Sequence, residues 1–188
     1  MFSNLRQIGI AFEMLLGDEE RFPDRRDLKT ALGYQPWGSW PPSDPRGGWA
    51  AIVLEKYMPG HRVWSCPALQ SSTLAEVPQV QQLSDAANPD SAVRYWLWRF
   101  DRPDDPVPPD NFWDKTVEKC VGDLQALASP LIGIPSGPSD VELAVDVYFP
   151  RTIPTVAPEL RGRAAHPRGR NRLFLDSHAE FLRDARLN

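Results

Sequence analysis

The stretch "HPRGRNRLFLDSHAEFLRD", residues 166–184, holds two of the chain's three histidines, His166 and His178, with Asp176 between them. Two readings compete for it. In the chemical one, His166, Asp176 and His178 are the metal ligands of a metal-dependent enzyme, since imidazole and carboxylate bind first-row ions when at least three donors converge. In the structural one, "NRLFL" and "AEFLRD" are two short strands joined across "DSH". A strand rises about 3.3 Å per residue, so His166 and Asp176 fall at opposite ends of the first strand, and nothing local drives them together. A hairpin accounts for the same residues with fewer demands. It pairs Leu175 with Ala179 and Leu173 with Phe181, gathering apolar side chains on one face. Asp176 can then accept backbone N–H groups of the turn. One loop residue needs a positive φ, where Ser costs about 1 kcal/mol relative to Gly.

Upstream, "VELAVDVYF" (141–149) alternates: Val141, Leu143, Val145, Val147 and Phe149 on one face, Glu142, Asp146 and Tyr148 on the other. This predicts a half-buried strand of an antiparallel sheet. "VRYWLWRF" (93–100) is rich in β-branched and aromatic residues and predicts another strand. At the other end, "SNLRQIGIAFEMLL" (3–16) predicts a helix capped by Ser3 or Asn4 and stopped by Gly17. Leu5, Ile8, Phe12 and Leu15 form its apolar stripe. Further helices are expected over 49–58 and 116–128, the latter burying Val117, Cys120, Val121, Leu124 and Leu127 on one face. Residues 68–92 carry little pattern and read as loop. Helix first, strands late and Pro-rich loops between give an α+β domain.

Composition narrows the function classes. The 188 residues suit one domain with a real core. The 20 prolines imply long ordered loops. A net charge of −4 leaves no basic face for a nucleic-acid groove, and the local run Arg161, Arg163, Arg168, Arg170, Arg172 reads as a solvated loop. No apolar run of about 18 residues is present to cross a bilayer. The N-terminus lacks the three-part pattern of a signal peptide.

Other candidate chemistry is sparse. Cys66 and Cys120 match no zinc spacing; they are either free thiols or, in an exported protein, a disulfide. The acidic loop with Asp101, Asp104 and Asp105, continued by Asp110 and Asp114, offers oxygen ligands for Ca²⁺ without the spacing of an EF-hand. It reads first as a solvated Pro/Asp loop, and no other cofactor is expected. The seven tryptophans, Trp37, Trp40, Trp49, Trp64, Trp96, Trp98 and Trp113, are either core filling under long loops or a surface for carbohydrate or protein. No nucleophile elbow, phosphate loop or HExxH is present, so no catalytic constellation is expected.

Two stretches together resemble a known family. "SNLRQIGIAFEMLLGDEERFPD" is similar to the segment that follows the transmembrane helix in type IV pilin-like and type II secretion pseudopilin-like proteins. The nine residues between His166 and Asp176 match the spacing of the H-x9-D-G domain associated with prepilin-type processing, and Cys66-Pro67 fits the middle region of that family. Ser177 stands where the family has Gly. The resemblance covers residues 3–24 and 160–184.

It implies a single pilin-like domain over 1–188: the lower half of an N-terminal helix at 3–16, a variable region at 17–140, and C-terminal strands and hairpin at 141–188. It also implies a longer apolar helix upstream of Met1, inner-membrane anchoring with this domain in the periplasm or cell exterior, and a non-catalytic role. Partners would be other pilin or pseudopilin subunits and the secretion or pilus assembly machinery. His166, Asp176 and Ser177 would be structural signatures. Without the anchor, a monomer is expected.

Overall fold

The computed structural model describes residues 2–24, 47–78, 80–85, 87–98, 109–154 and 156–188. The first element, α1, spans Phe2–Glu19. Its predicted stripe is the buried one: Leu5, Ile8 and Phe12 are at most 1% exposed and Leu15 is 7%. Burying side chains of this size contributes roughly 1.5–3 kcal/mol each, which fixes the helix to the body far more firmly than propensity does.

Both predicted ends of α1 shift. The helix begins before Ser3, and Asn4, instead of capping it, donates from Nδ2 to the Ser65 carbonyl at 3.2 Å. It runs through Gly17 and closes where Glu20 turns left-handed at φ 60, its N–H donating to Leu16 O at 2.9 Å. That bond satisfies an end carbonyl without a glycine.

Two short helices follow, α2 (Gly48–Val53) and α3 (Pro67–Gln70), the second starting on Pro at its first position. Helix 49–58 is therefore shorter than expected, and 68–92 is more regular than its pattern indicates. Within it, β1 (Gln82–Leu83) pairs antiparallel with β2 (Ala92–Val93). Next come β3 (Tyr95–Leu97) and α4 (Val117–Leu127). The latter follows its periodicity in part: Thr116 caps it by accepting from Lys119 N, and Cys120, Val121 and Leu124 are buried, but Val117 is half-buried and Leu127, in the last turn, is 37% exposed, contrary to expectation.

The main sheet has the order β3-β4-β5-β6, all antiparallel, with β4 at Glu142–Asp146, β5 at Gly169–Phe174 and β6 at Ala179–Arg183. The architecture is α+β. In β4 the alternation misleads about exposure. All five residues are buried, Asp146 at 1% and Glu142 at 6%. Ala144 pairs with Leu173, and Leu173 is the residue that approaches Gly9 of α1. The side of β4 bearing Ala144 and Asp146 thus lies under the helix, while Leu143 and Val145 are covered from the other side. A strand covered on both faces shows no solvent side for its alternation to report.

The β5–β6 hairpin forms with its turn one residue earlier than predicted. Leu173 faces Ala179 and Asn171 faces Phe181; Leu175 lies in the turn. Ser177 N donates to Phe174 O and Phe174 N to His178 O, both at 3.0 Å, with Ser177 left-handed at φ 64. The positive φ falls on Ser177, at the position where the resembled family has Gly. Asp176 Oδ1 accepts from His178 N at 3.2 Å, and the His178 ring stacks on Phe174 at 4.2 Å.

An aromatic cluster fills space that regular structure leaves open. Trp49, Trp98 and Trp113 meet with centroids 4.6–5.2 Å apart. Phe12, Phe22 and Phe112 join them. Offset and edge-on contacts of this kind add about 0.5–1.5 kcal/mol per pair beyond area burial.

Candidate functional site

Three buried side chains from distant segments converge in the interior. Cys66 enters α3 in extended conformation, Asp146 ends β4, and His166 precedes β5. They are 2%, 1% and 7% exposed. Cys66 Sγ lies 3.3 Å from His166 Nε2, and Asp146 Oδ2 lies 3.1 Å from the same nitrogen. One candidate ligand atom from each falls within 4.8 Å of the others.

The backbone explains this meeting. Phe149 N donates to Arg163 O at 2.7 Å and Ala165 N to Val147 O at 3.1 Å, so residues 163–165 run antiparallel beside the extension of β4. His166 then arrives next to Asp146. Asn171, in the adjacent strand, donates to Asp146 Oδ2 from its backbone N at 2.9 Å and from Nδ2 at 2.6 Å. A buried carboxylate is expensive unless it is paired and hydrogen-bonded, and here it is both. The Asp146 hydrogen bond, then the Cys66 contact, lift the His166 imidazole to about 10 against the opposing effect of burial. The phenol of Tyr95 is pushed upward, first by burial and then by the charges of Asp146 and Cys66.

The geometry limits the chemistry. A nucleophilic thiol relay needs the sulfur on one imidazole nitrogen and the orienting carboxylate on the other. Here both face Nε2, so the arrangement is a convergence of donors on one point. It can hold a single shared positive charge, as a proton or as a metal cation.

The structure redistributes the predicted site residues. His166, Asp176 and His178 do not gather: His166 joins Cys66 and Asp146, while Asp176 pairs with His178 at the exposed turn. Cys66 and Cys120 are both free and buried, which corrects the disulfide alternative. Burial first of all pushes the Cys120 thiol up to about 12. Asp101, Asp104 and Asp105 lie outside the described residues. Of their neighbours, Asp110 is buried and Asp114 pairs with Arg21 at 3.1 Å. Trp49, Trp64, Trp96 and Trp98 are at most 3% exposed and Trp113 is half-buried, so these five form no surface patch. Trp37 and Trp40 lie outside the described residues.

The basic run is not a uniformly solvated loop either. Arg170 is buried, pairs with Asp184 and lies 4.0 Å over the Tyr148 ring. Asp184 also accepts from Arg186 Nε at 2.8 Å. Burial alone would raise the Asp184 carboxyl, but the Arg186 hydrogen bonds and the Arg170 charge bring it down to about 2.

Sequence reasoning missed Asp146 as a site residue. Its signal is one of two carboxylates, with Glu142, in a strand whose other residues are apolar; a carboxylate there is tolerated only with a buried partner. Comparison of the chain with protein-family models, with curated proteins and with solved structures finds no match.

Proposed function

We propose that this chain is a non-catalytic structural subunit of a type II secretion-like pseudopilus or type IV pilus-like assembly. The domain would stand in the periplasm or at the cell exterior, on a membrane-anchored protein. The observation that carries the reading is the two-faced character of α1. One face packs Leu5, Ile8, Phe12 and Leu15 into the body; elsewhere on the helix, Ile10 and Met14, one turn apart, stay 54% and 49% exposed. Large apolar side chains displayed along a helix that already has a packed face suit lateral packing between copies, the mode that the "NLRQIG" resemblance implies. The pilin-like fold belongs to the same proposal. It is supported by the order of elements, with an N-terminal helix lying on a late antiparallel sheet whose closing hairpin carries the His-x9-Asp spacing.

The test uses the full-length gene product in its own host. Cross-linking of membranes should give a ladder of multimers, and Ile10→Asp with Met14→Asp should abolish it while the domain keeps its circular dichroism. A wild-type protein that gives no multimers, or that is absent from membranes and surface fractions, refutes the reading.

A further inference from the structure

We propose that Cys66, Asp146 and His166 form a binding site for a thiophilic divalent cation, with zinc as the chemical match. This stands apart from the assembly role, which rests on α1. The donor set carries the argument first. A thiolate and an imidazole select zinc-like ions over Ca²⁺ and Mg²⁺, and the carboxylate supplies a third donor of a type that zinc accepts.

The geometry carries it further. Zinc ligand distances of about 2.0–2.1 Å to nitrogen or oxygen and about 2.3 Å to sulfur give tetrahedral edges near 3.4 Å for N–O and 3.6 Å for N–S. The observed edges are 3.1 Å for His166 Nε2 to Asp146 Oδ2 and 3.3 Å for His166 Nε2 to Cys66 Sγ. Opening each of these two edges by about 0.3 Å brings it to zinc geometry, and the third edge, between Cys66 and Asp146, lies within 4.8 Å. Both partners face one imidazole nitrogen, which is what ligands around a common centre do. Among the described residues, no other group of three His, Cys, Asp or Glu side chains converges in this way.

Charge balance points in the same direction. A dication with one thiolate, one carboxylate and one neutral imidazole is neutral, which removes the penalty of burying ions in the interior. On binding, the thiol proton and any imidazole proton leave to solvent, and three metal–ligand bonds form. A fourth tetrahedral position remains for water. Asn171 is a positioning residue: its two donations to Asp146 Oδ2 fix the carboxylate, as outer partners of metal ligands do. The bound ion would tie together segments 100 residues apart in sequence, the separation between Cys66 and His166.

Co(II) serves as the spectroscopic probe. Protein freed of metal by a chelator and titrated with Co(II) should take up one equivalent, with tetrahedral d–d bands and a thiolate-to-metal charge-transfer band, all displaced by Zn(II). Cys120→Ser, which leaves Cys66 as the sole thiol, should retain the whole spectrum. Cys66→Ser should lose the charge-transfer band and weaken Zn(II) binding by more than about 100-fold, beyond what loss of an outer partner costs. Asn171→Ala should keep the band but bind about 10- to 100-fold more weakly. If Cys66→Ser fails to fold, the Cys120→Ser titration still decides, because any thiolate band in it comes from Cys66. The proposal is overturned if wild-type protein takes up no Co(II) at micromolar concentration, or if the Cys120→Ser protein shows uptake without a thiolate band.

Discussion

Gly9 and Gly17 lie two turns apart in α1, and replacing each by alanine separates helix propensity from tertiary packing. Alanine is worth about 0.8–1 kcal/mol over glycine inside a helix. At Gly17 a Cβ would have nothing within 4 Å, so that gain should appear, reduced by the nearby helix end, as a stabilisation of roughly 0.5–1 kcal/mol. At Gly9 a Cβ would lie 2.9 Å from Leu173 Cδ1 and 3.1 Å from Ser177 Cβ. Leu173 is fully buried and Ser177 is held in the hairpin turn, so neither has free room to retreat. Overpacking costs typically about 1–3 kcal/mol, which equals or exceeds the propensity gain. Gly9→Ala should therefore destabilise by up to about 2 kcal/mol, and Gly9→Val by more, because valine adds volume without alanine's propensity. Urea unfolding followed by tryptophan fluorescence, at matched m-values, measures both variants. If Gly9→Ala stabilises as much as Gly17→Ala, the hairpin does not seat against α1 at Gly9 and the packing account fails.

Three further outcomes are expected. Ser177→Gly should raise the melting temperature, by the equivalent of up to about 1 kcal/mol, because it relieves a left-handed serine; a lower Tm would mean that the side chain matters more than the backbone. The Asp184 carboxyl is held below its ordinary value, so its contribution, roughly 2 kcal/mol, is complete above about pH 4 and lost as pH falls through about 2. The stability gap between wild type and Asp184→Asn should narrow over that window, and a gap constant from pH 5 to pH 2 would contradict the assignment. A thiol reagent should find two thiols in denaturant under non-reducing conditions and leave Cys120 unmodified in the native protein; finding no thiols would restore the disulfide.

Short-range physics made much of the architecture legible. The stripe of α1, the face of α4 apart from Leu127, a strand within 141–149 and the need for a left-handed residue in the 166–184 hairpin all follow from periodicity or turn stereochemistry within a few residues. Errors of register and boundary came from competition at the ends. The hairpin turn took in Leu175 because Phe174 pairs with His178, which leaves Ser177 as the last loop residue, where the positive φ falls. The helix passed Gly17 because Glu20 could close it.

Tertiary structure decided the rest. Which face of β4 lies under α1 depends on what covers each side, and a strand buried on both sides carries no record of that in its alternation. The site depends on it too. Cys66, Asp146 and His166 sit in three segments whose separations match no motif, and only the pairing of residues 163–165 with the extension of β4 brings the histidine beside the aspartate. The stretch 166–184 therefore holds half of each initial reading: its strands and turn are local, while the partners of His166 are set by chain closure across 100 residues.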